Sequence, residues 1–124
     1  MAVILSVEDN EINQFVLTER LTLEGYDVLQ AFDEKEATMQ LESEQPISLI
    51  LLDIGLPNKD GISIAAELRA SQKYHAIPIF FLTAHATEDY RQKATALGIN
   101  DFFTKPIDFD ALLERVNDTL RPID

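Results

Sequence analysis

The chain has 124 residues, 46% hydrophobic and 26% charged, which suits one domain with one core and is ordinary for a soluble globular protein. A net charge of -12, from 22 acidic and 10 basic residues, disfavours direct nucleic-acid binding and adhesion to anionic membranes, and suits a cation or a basic partner. Without cysteine there is no disulfide framework, thiol catalysis or Cys-based zinc site, and no apolar run approaches the roughly 20 residues of a membrane span.

In chain order, Val3 to Val7 is a short β-branched and apolar run ending at Glu8-Asp9-Asn10. It predicts a first strand, with Ser6 an odd residue inside it. No basic region precedes this run, so MAVILSVED is not expected to act as a signal peptide. A helix from about Glu11 to Glu24 follows, closed by Gly25, with Ile12, Phe15, Val16 and Leu23 expected on its inward stripe. Tyr26 to Ala31 is a second strand. Asp33 and Glu36 resemble a capping box, and the helix they start turns Ala37 and Leu41 inward. After Pro46 comes Ile47 to Leu52, almost wholly apolar, stopping at Asp53 and the turn residues Gly55, Pro57, Asn58, Asp60 and Gly61. This pattern is that of a strand buried on both faces, as in parallel sheets covered by helices. A third helix is expected over about Ile62 to Ser71 and a fourth strand over Ile77 to Leu82, ending at Thr83. The fourth helix spans roughly Thr87 to Leu97 and stops at Gly98. The fifth strand is Asn100 to Thr104, ending at Lys105-Pro106. Asp108 caps a last helix with Phe109, Leu112, Leu113, Val116 and Leu120 on one stripe.

Five strand-helix units with right-handed crossovers predict an α/β, flavodoxin-like, doubly wound parallel sheet of order 2-1-3-4-5. The carboxyl ends of its strands then converge on one edge. Glu8 and Asp9 come from the first strand, Asp53 from the third, Thr83 from the fourth and Lys105 from the fifth. Each residue has a plain alternative as a loop cap, a helix N-terminal anion, a turn residue or a solvated lysine. Their convergence is harder to explain that way. Three carboxylates in a shallow site repel one another and want a cation, and an oxygen-only set with few protein ligands suits Mg²⁺. Lys105 adds a positive charge and Thr83 a hydroxyl. Together they describe a site for an anionic group of three oxygens beside a metal, where a carboxylate accepts a phosphoryl group.

The matching pieces VEDN (Val7 to Asn10), LLDIGLPNKDG (Leu51 to Gly61), LTA (Leu82 to Ala84) and DFFTKP (Asp101 to Pro106) make the chain similar, over nearly all its length, to a two-component response-regulator receiver domain. The intervals of thirty residues from Asp53 to Thr83 and twenty-two more to Lys105 are also those of that family. The resemblance implies that Asp53 is the phosphoacceptor. It implies that Glu8, Asp9, Asp53 and the backbone carbonyl of Gly55 hold Mg²⁺, and that Thr83 and Lys105 bind the phosphoryl oxygens. By the same resemblance Phe102 is the switch aromatic, exposed when inactive and inward when phosphorylated. Phe stands there where the family more often has Tyr, and Ser6 replaces a usual aliphatic residue. The positions of Gly55 and His85 border the phosphoryl group in that family, so these residues, with the small Ala84, are expected to set its lifetime, and the Lys105-Pro106 bond is expected to be cis.

The partners so implied are a histidine kinase or a histidine phosphotransfer protein and a downstream protein. The latter would bind the fourth helix, fifth strand and fifth helix, roughly Thr87 to Leu120. The chain is expected to be a cytoplasmic switch that catalyses only its own phosphorylation and dephosphorylation. With Met1 directly before the first strand and only Arg121 to Asp124 after the last helix, a stand-alone receiver, or one cut from a larger protein, is expected. Two other classes fit less well. A phosphohydrolase of the haloacid-dehalogenase type needs a second Asp where Gly55 stands, and a nucleotide-binding domain needs a Gly-rich loop where VEDNEIN has none. A binding module that is never phosphorylated remains, and acid-labile phosphate on Asp53 separates it from the receiver reading.

Overall fold

A computed structural model describes residues 2–43, 45–56, 60–84 and 87–121. Strands and helices alternate as β1 (Val3–Val7), α1 (Glu11–Leu23), β2 (Asp27–Ala31), α2 (Glu34–Glu42), β3 (Leu49–Asp53), α3 (Gly61–Ala70), β4 (Ile79–Thr83), α4 (Glu88–Ala96), β5 (Asp101–Thr104) and α5 (Phe109–Leu120). The strands form one parallel sheet of order β2-β1-β3-β4-β5, the flavodoxin-like arrangement expected from the repeated units. Strands β2, β3 and β4 start one or two residues later than their apolar runs begin, because the first residues enter before pairing is established.

The central strands β1, β3 and β4 are buried at every position, since helices cover both sheet faces. Ala37 and Leu41 of α2, Ile64, Ala65 and Leu68 of α3 and Ala94 of α4 pack on Leu5, Val7, Ile50, Leu52, Ile79 and Phe81. On the other face Leu17 and Leu21 of α1 and Leu112 and Val116 of α5 pack on Ile4, Leu49, Leu51, Phe80 and Leu82. Helix starts are fixed locally. Asn10, Asp33, Asp60, Thr87 and Asp108 each accept the backbone N–H three residues on, satisfying a donor the helix leaves free.

The inward face of α1 differs from the expected one. Ile12, Phe15 and Leu23 are 74%, 64% and 79% exposed, and Val16 is half-buried. The face turned to the sheet is Gln14, Leu17 and Leu21. Its leading residue is polar, so it is hidden from an apolar pattern; Gln14 goes inward because backbone carbonyls at the end of β1 receive its amide. The stripe of α5 is as expected, with Leu112 and Val116 buried and Phe109, Leu113 and Leu120 partly buried around them.

Candidate functional site

Register brings the polar strand ends level. Val7 pairs with Leu52 across β1 and β3, Asp53 with Leu82 across β3 and β4, and Thr83 with Thr104 across β4 and β5. Residues at or one step past these pairs therefore lie side by side. The backbone ladder continues through that step: Glu8 N–H donates to Ala31 O (3.0 Å), Ile54 N–H to Leu82 O (3.1 Å) and Lys105 N–H to Thr83 O (2.7 Å).

Carboxylate oxygens of Glu8, Asp9 and Asp53 all lie within 4.8 Å of one another. The Lys105 ammonium donates to Glu8 Oε1 at 2.7 Å and to Asp53 Oδ2 at 3.0 Å, so it ties the first strand to the third from the fifth. The other oxygen of Asp53, Oδ1, accepts the Gly55 N–H at 3.0 Å, which sets the plane of the carboxylate. Asp9, Asp53, Gly55, Thr83, Ala84 and Lys105 line one open basin of about 730 Å³. Glu8 lies beneath it, fully buried, with Asn13 Nδ2 donating to the same Oε1 that Lys105 uses (2.8 Å). Asp9 is exposed at the rim, while Asp53 and Thr83 are buried. The peptide bond between Lys105 and Pro106 is cis.

The charges respond to this crowding. Burial first, then the neighbouring Asp53, pushes the Glu8 carboxyl up to about 7. Burial also raises Asp53, but the neighbouring Glu8 carboxyl, the Gly55 N–H and Lys105 outweigh it and hold that carboxyl below its usual range. Lys105 is pulled down by burial and pushed further up by its two carboxylates, so it stays charged.

These residues fit a hard divalent cation. The donors are all oxygen, three carboxylates cluster beside one ammonium, and among the described residues Glu8 Oε2 is buried with no hydrogen-bond partner. At full ionisation that set carries excess negative charge, and Mg²⁺ suits oxygen ligands of this kind.

Phe102 lies away from the basin, on the α4 side of β5. Its ring is partly buried, edge-on to Phe81 at 6.3 Å, with the Arg91 guanidinium 4.9 Å over it. Phe103 takes the opposite face, 5.7 Å from Phe80. His85 lies outside the described residues. Sequence reasoning missed Asn13 and Gln14, which grip Glu8 from the first turn of α1. The signal available was the spacing of Gln14 with Leu17 and Leu21.

Among the described residues no helix is long and apolar enough to cross a membrane. The family model for the response regulator receiver domain matches residues 4–117. The transcriptional regulatory protein KdpE of Staphylococcus aureus is 35% identical over 113 residues, 91% of this chain; the chain spans 47% of that relative's length. Among solved structures, the non-phosphorylated HemR receiver domain from Leptospira biflexa is 30% identical, with a TM-score of 0.87 over 100% of this chain and 98% of that one. A response regulator receiver protein from Pseudomonas putida is 29% identical, with a TM-score of 0.89 over 94% of this chain and 96% of that one. With a parallel sheet that levels three carboxylates and a lysine at one edge, and a family match over most of its length, the chain belongs to the response regulator receiver domains of two-component signalling.

Proposed function

We propose that this chain is a phosphorylation-controlled switch in which Asp53 accepts a phosphoryl group from a phosphohistidine of a histidine kinase or histidine phosphotransfer protein. One observation carries the reading: Asp53 sits with Glu8 and Asp9 inside 4.8 Å, and Lys105 bridges it to Glu8. Glu8, Asp9, Asp53 and the backbone carbonyl of Gly55 would hold Mg²⁺. The bound ion supplies positive charge beside the transferring oxygens. An Asp53 oxygen forms the new P–O bond as the P–N bond to the donor's imidazole breaks; the bonding pair stays on that nitrogen, and the ring, protonated on its other nitrogen, leaves as neutral imidazole. Lys105, already directed at Asp53 Oδ2, stabilises charge on the phosphoryl oxygens. Gly55 and Ala84 are small and line the basin, leaving room for the in-line donor and later for water. His85 is assigned to the lifetime of the phosphorylated state, and an altered decay rate in His85→Ala tests that role. The chain acts on itself and turns over no substrate, and a cytoplasmic location belongs to the same proposal.

The output follows from charge. Phosphorylation adds up to about two negative charges and three acceptor oxygens at Asp53. Thr83, buried at the end of β4, turns its hydroxyl toward them, and Phe102 moves into the space this vacates. The face formed by α4, β5 and α5 then changes its affinity for a downstream protein. Incubation with acetyl phosphate and Mg²⁺ should add one phosphate by mass, and Asp53→Asn should abolish it. Equal labelling of the Asn variant refutes the assignment.

A further inference from the structure

We propose that Gln14 is a positioning residue of the metal site, acting through the backbone of Glu8; this rests on the Mg²⁺ assignment above. Gln14 is fully buried under the end of β1. Its Nε2 donates to Ser6 O at 2.9 Å, to Ala31 O at 3.2 Å and to Glu8 O at 3.3 Å. Three carbonyls around one end of the amide fix which end is nitrogen. The contact spans β1, β2 and the first residue beyond β1, where the chain leaves the sheet and presents Glu8 and Asp9. Its neighbour Asn13 donates to Glu8 Oε1, together with Lys105, which leaves Oε2 as the Glu8 oxygen without a hydrogen-bond partner among the described residues. One turn of α1 thus holds Glu8 at two points, Gln14 by the main chain and Asn13 by the carboxylate.

A packing role alone explains Gln14 poorly. Among the described residues its Oε1 is buried with no hydrogen-bond partner, as is Ser6 Oγ. An unpaired buried oxygen is costly, and Met or Leu fills a helix-sheet seam without that cost. What only the amide supplies is its two N–H donors, shared among three carbonyls at the strand end. Groups that orient metal ligands commonly change metal affinity by about 10–100-fold when removed.

The test titrates metal-free protein with Mg²⁺ alone by calorimetry, beside urea unfolding of each variant. Gln14→Met keeps the length and removes the donor; it should fold and bind Mg²⁺ about tenfold more weakly. Gln14→Asn, which keeps the amide but withdraws it by one methylene, should weaken binding by a smaller factor and serves if the Met variant does not fold. Leu21→Val, on the same face of α1 but away from the site, controls for destabilisation and should leave Mg²⁺ affinity unchanged. Affinity within twofold of the parent in both Gln14 variants, or equal weakening by Leu21→Val, overturns the positioning role. No Mg²⁺ binding by the parent, or binding that Asp9→Asn leaves unchanged, overturns the metal site itself and this inference with it.

Discussion

Gly61 is the first residue of α3 and has an ordinary φ, so backbone freedom does not explain it. Close approach does. A Cβ built there meets Asp53 O at 2.6 Å, Ile54 Cα at 2.8 Å and the Asp53 carbonyl carbon at 3.1 Å, all main-chain atoms that cannot rotate away. Gly61→Ala therefore forces the start of α3 and the end of β3 apart by about 0.6–0.8 Å to reach ordinary contact distances. The Gly61 N–H to Ile54 O bond, now 2.8 Å, stretches toward the limit of a hydrogen bond. Overpacking of this kind costs about 1–3 kcal/mol and the weakened bond up to about 1 kcal/mol. Better helix propensity offsets less than about 1 kcal/mol, since the site is in the first turn. The expected net loss is about 2 kcal/mol in urea unfolding, with an unchanged denaturant slope. The displaced atoms belong to the proposed phosphoacceptor, so the rate of labelling by acetyl phosphate at saturating Mg²⁺ should fall by about tenfold or more. A stability within about 0.5 kcal/mol of the parent and an unchanged labelling rate would show that the Asp53 main chain is not held by this approach.

Burial raises Glu8 to about 7 from an ordinary 4.5, so its contribution to metal-free stability is full below pH 4.5 and lost as pH rises through 7. Asp53 works oppositely, stabilising above its usual range and losing that contribution in acid, so over pH 5 to 7 the Glu8 effect governs this pair. Urea midpoints of the parent minus those of Glu8→Gln should fall over that window, and excess Mg²⁺ should flatten the fall; a rising difference contradicts the assignment. Thr83→Ala should still take up beryllofluoride, a phosphoryl mimic, at Asp53 while losing most of the amide shift changes at Phe102 and α4. Shifts there as large as in the parent would remove Thr83 from the switch. Arg69 donates to the carbonyls of His75, Ile77, Leu97 and Gly98 and to Asn100 Oδ1, joining α3 to the end of α4. Arg69→Ala should cost about 2 kcal/mol and speed hydrogen exchange at the α4 C-terminus, and unchanged exchange there would argue against the anchor.

Much of this molecule was legible in its sequence. The runs ending at Val7, Leu52 and Leu82 predicted the three central strands, because a strand buried on both faces is almost wholly apolar, and the run ending at Thr104 predicted β5, which is only partly buried. Asp33 and Asp108 announced helix starts, since a cap acts on its own next turn and needs no distant partner. Polar residues at four strand ends located the site edge, because parallel strands deliver their carboxyl ends together. The orientation of α1 was not legible. Ile12, Phe15 and Leu23 carry the stronger apolar pattern, yet Gln14 faces inward. Nor did the sequence show that Glu8 sinks below the basin while Asp9 stays at its rim, two adjacent carboxylates with different surroundings. Hydrophobic periodicity reports only how a side chain prefers water. Whether a polar group is buried depends on the donors and acceptors it meets, and for Gln14 and Glu8 those come from β1, β2 and the residue after β5. Only the folded sheet brings them together.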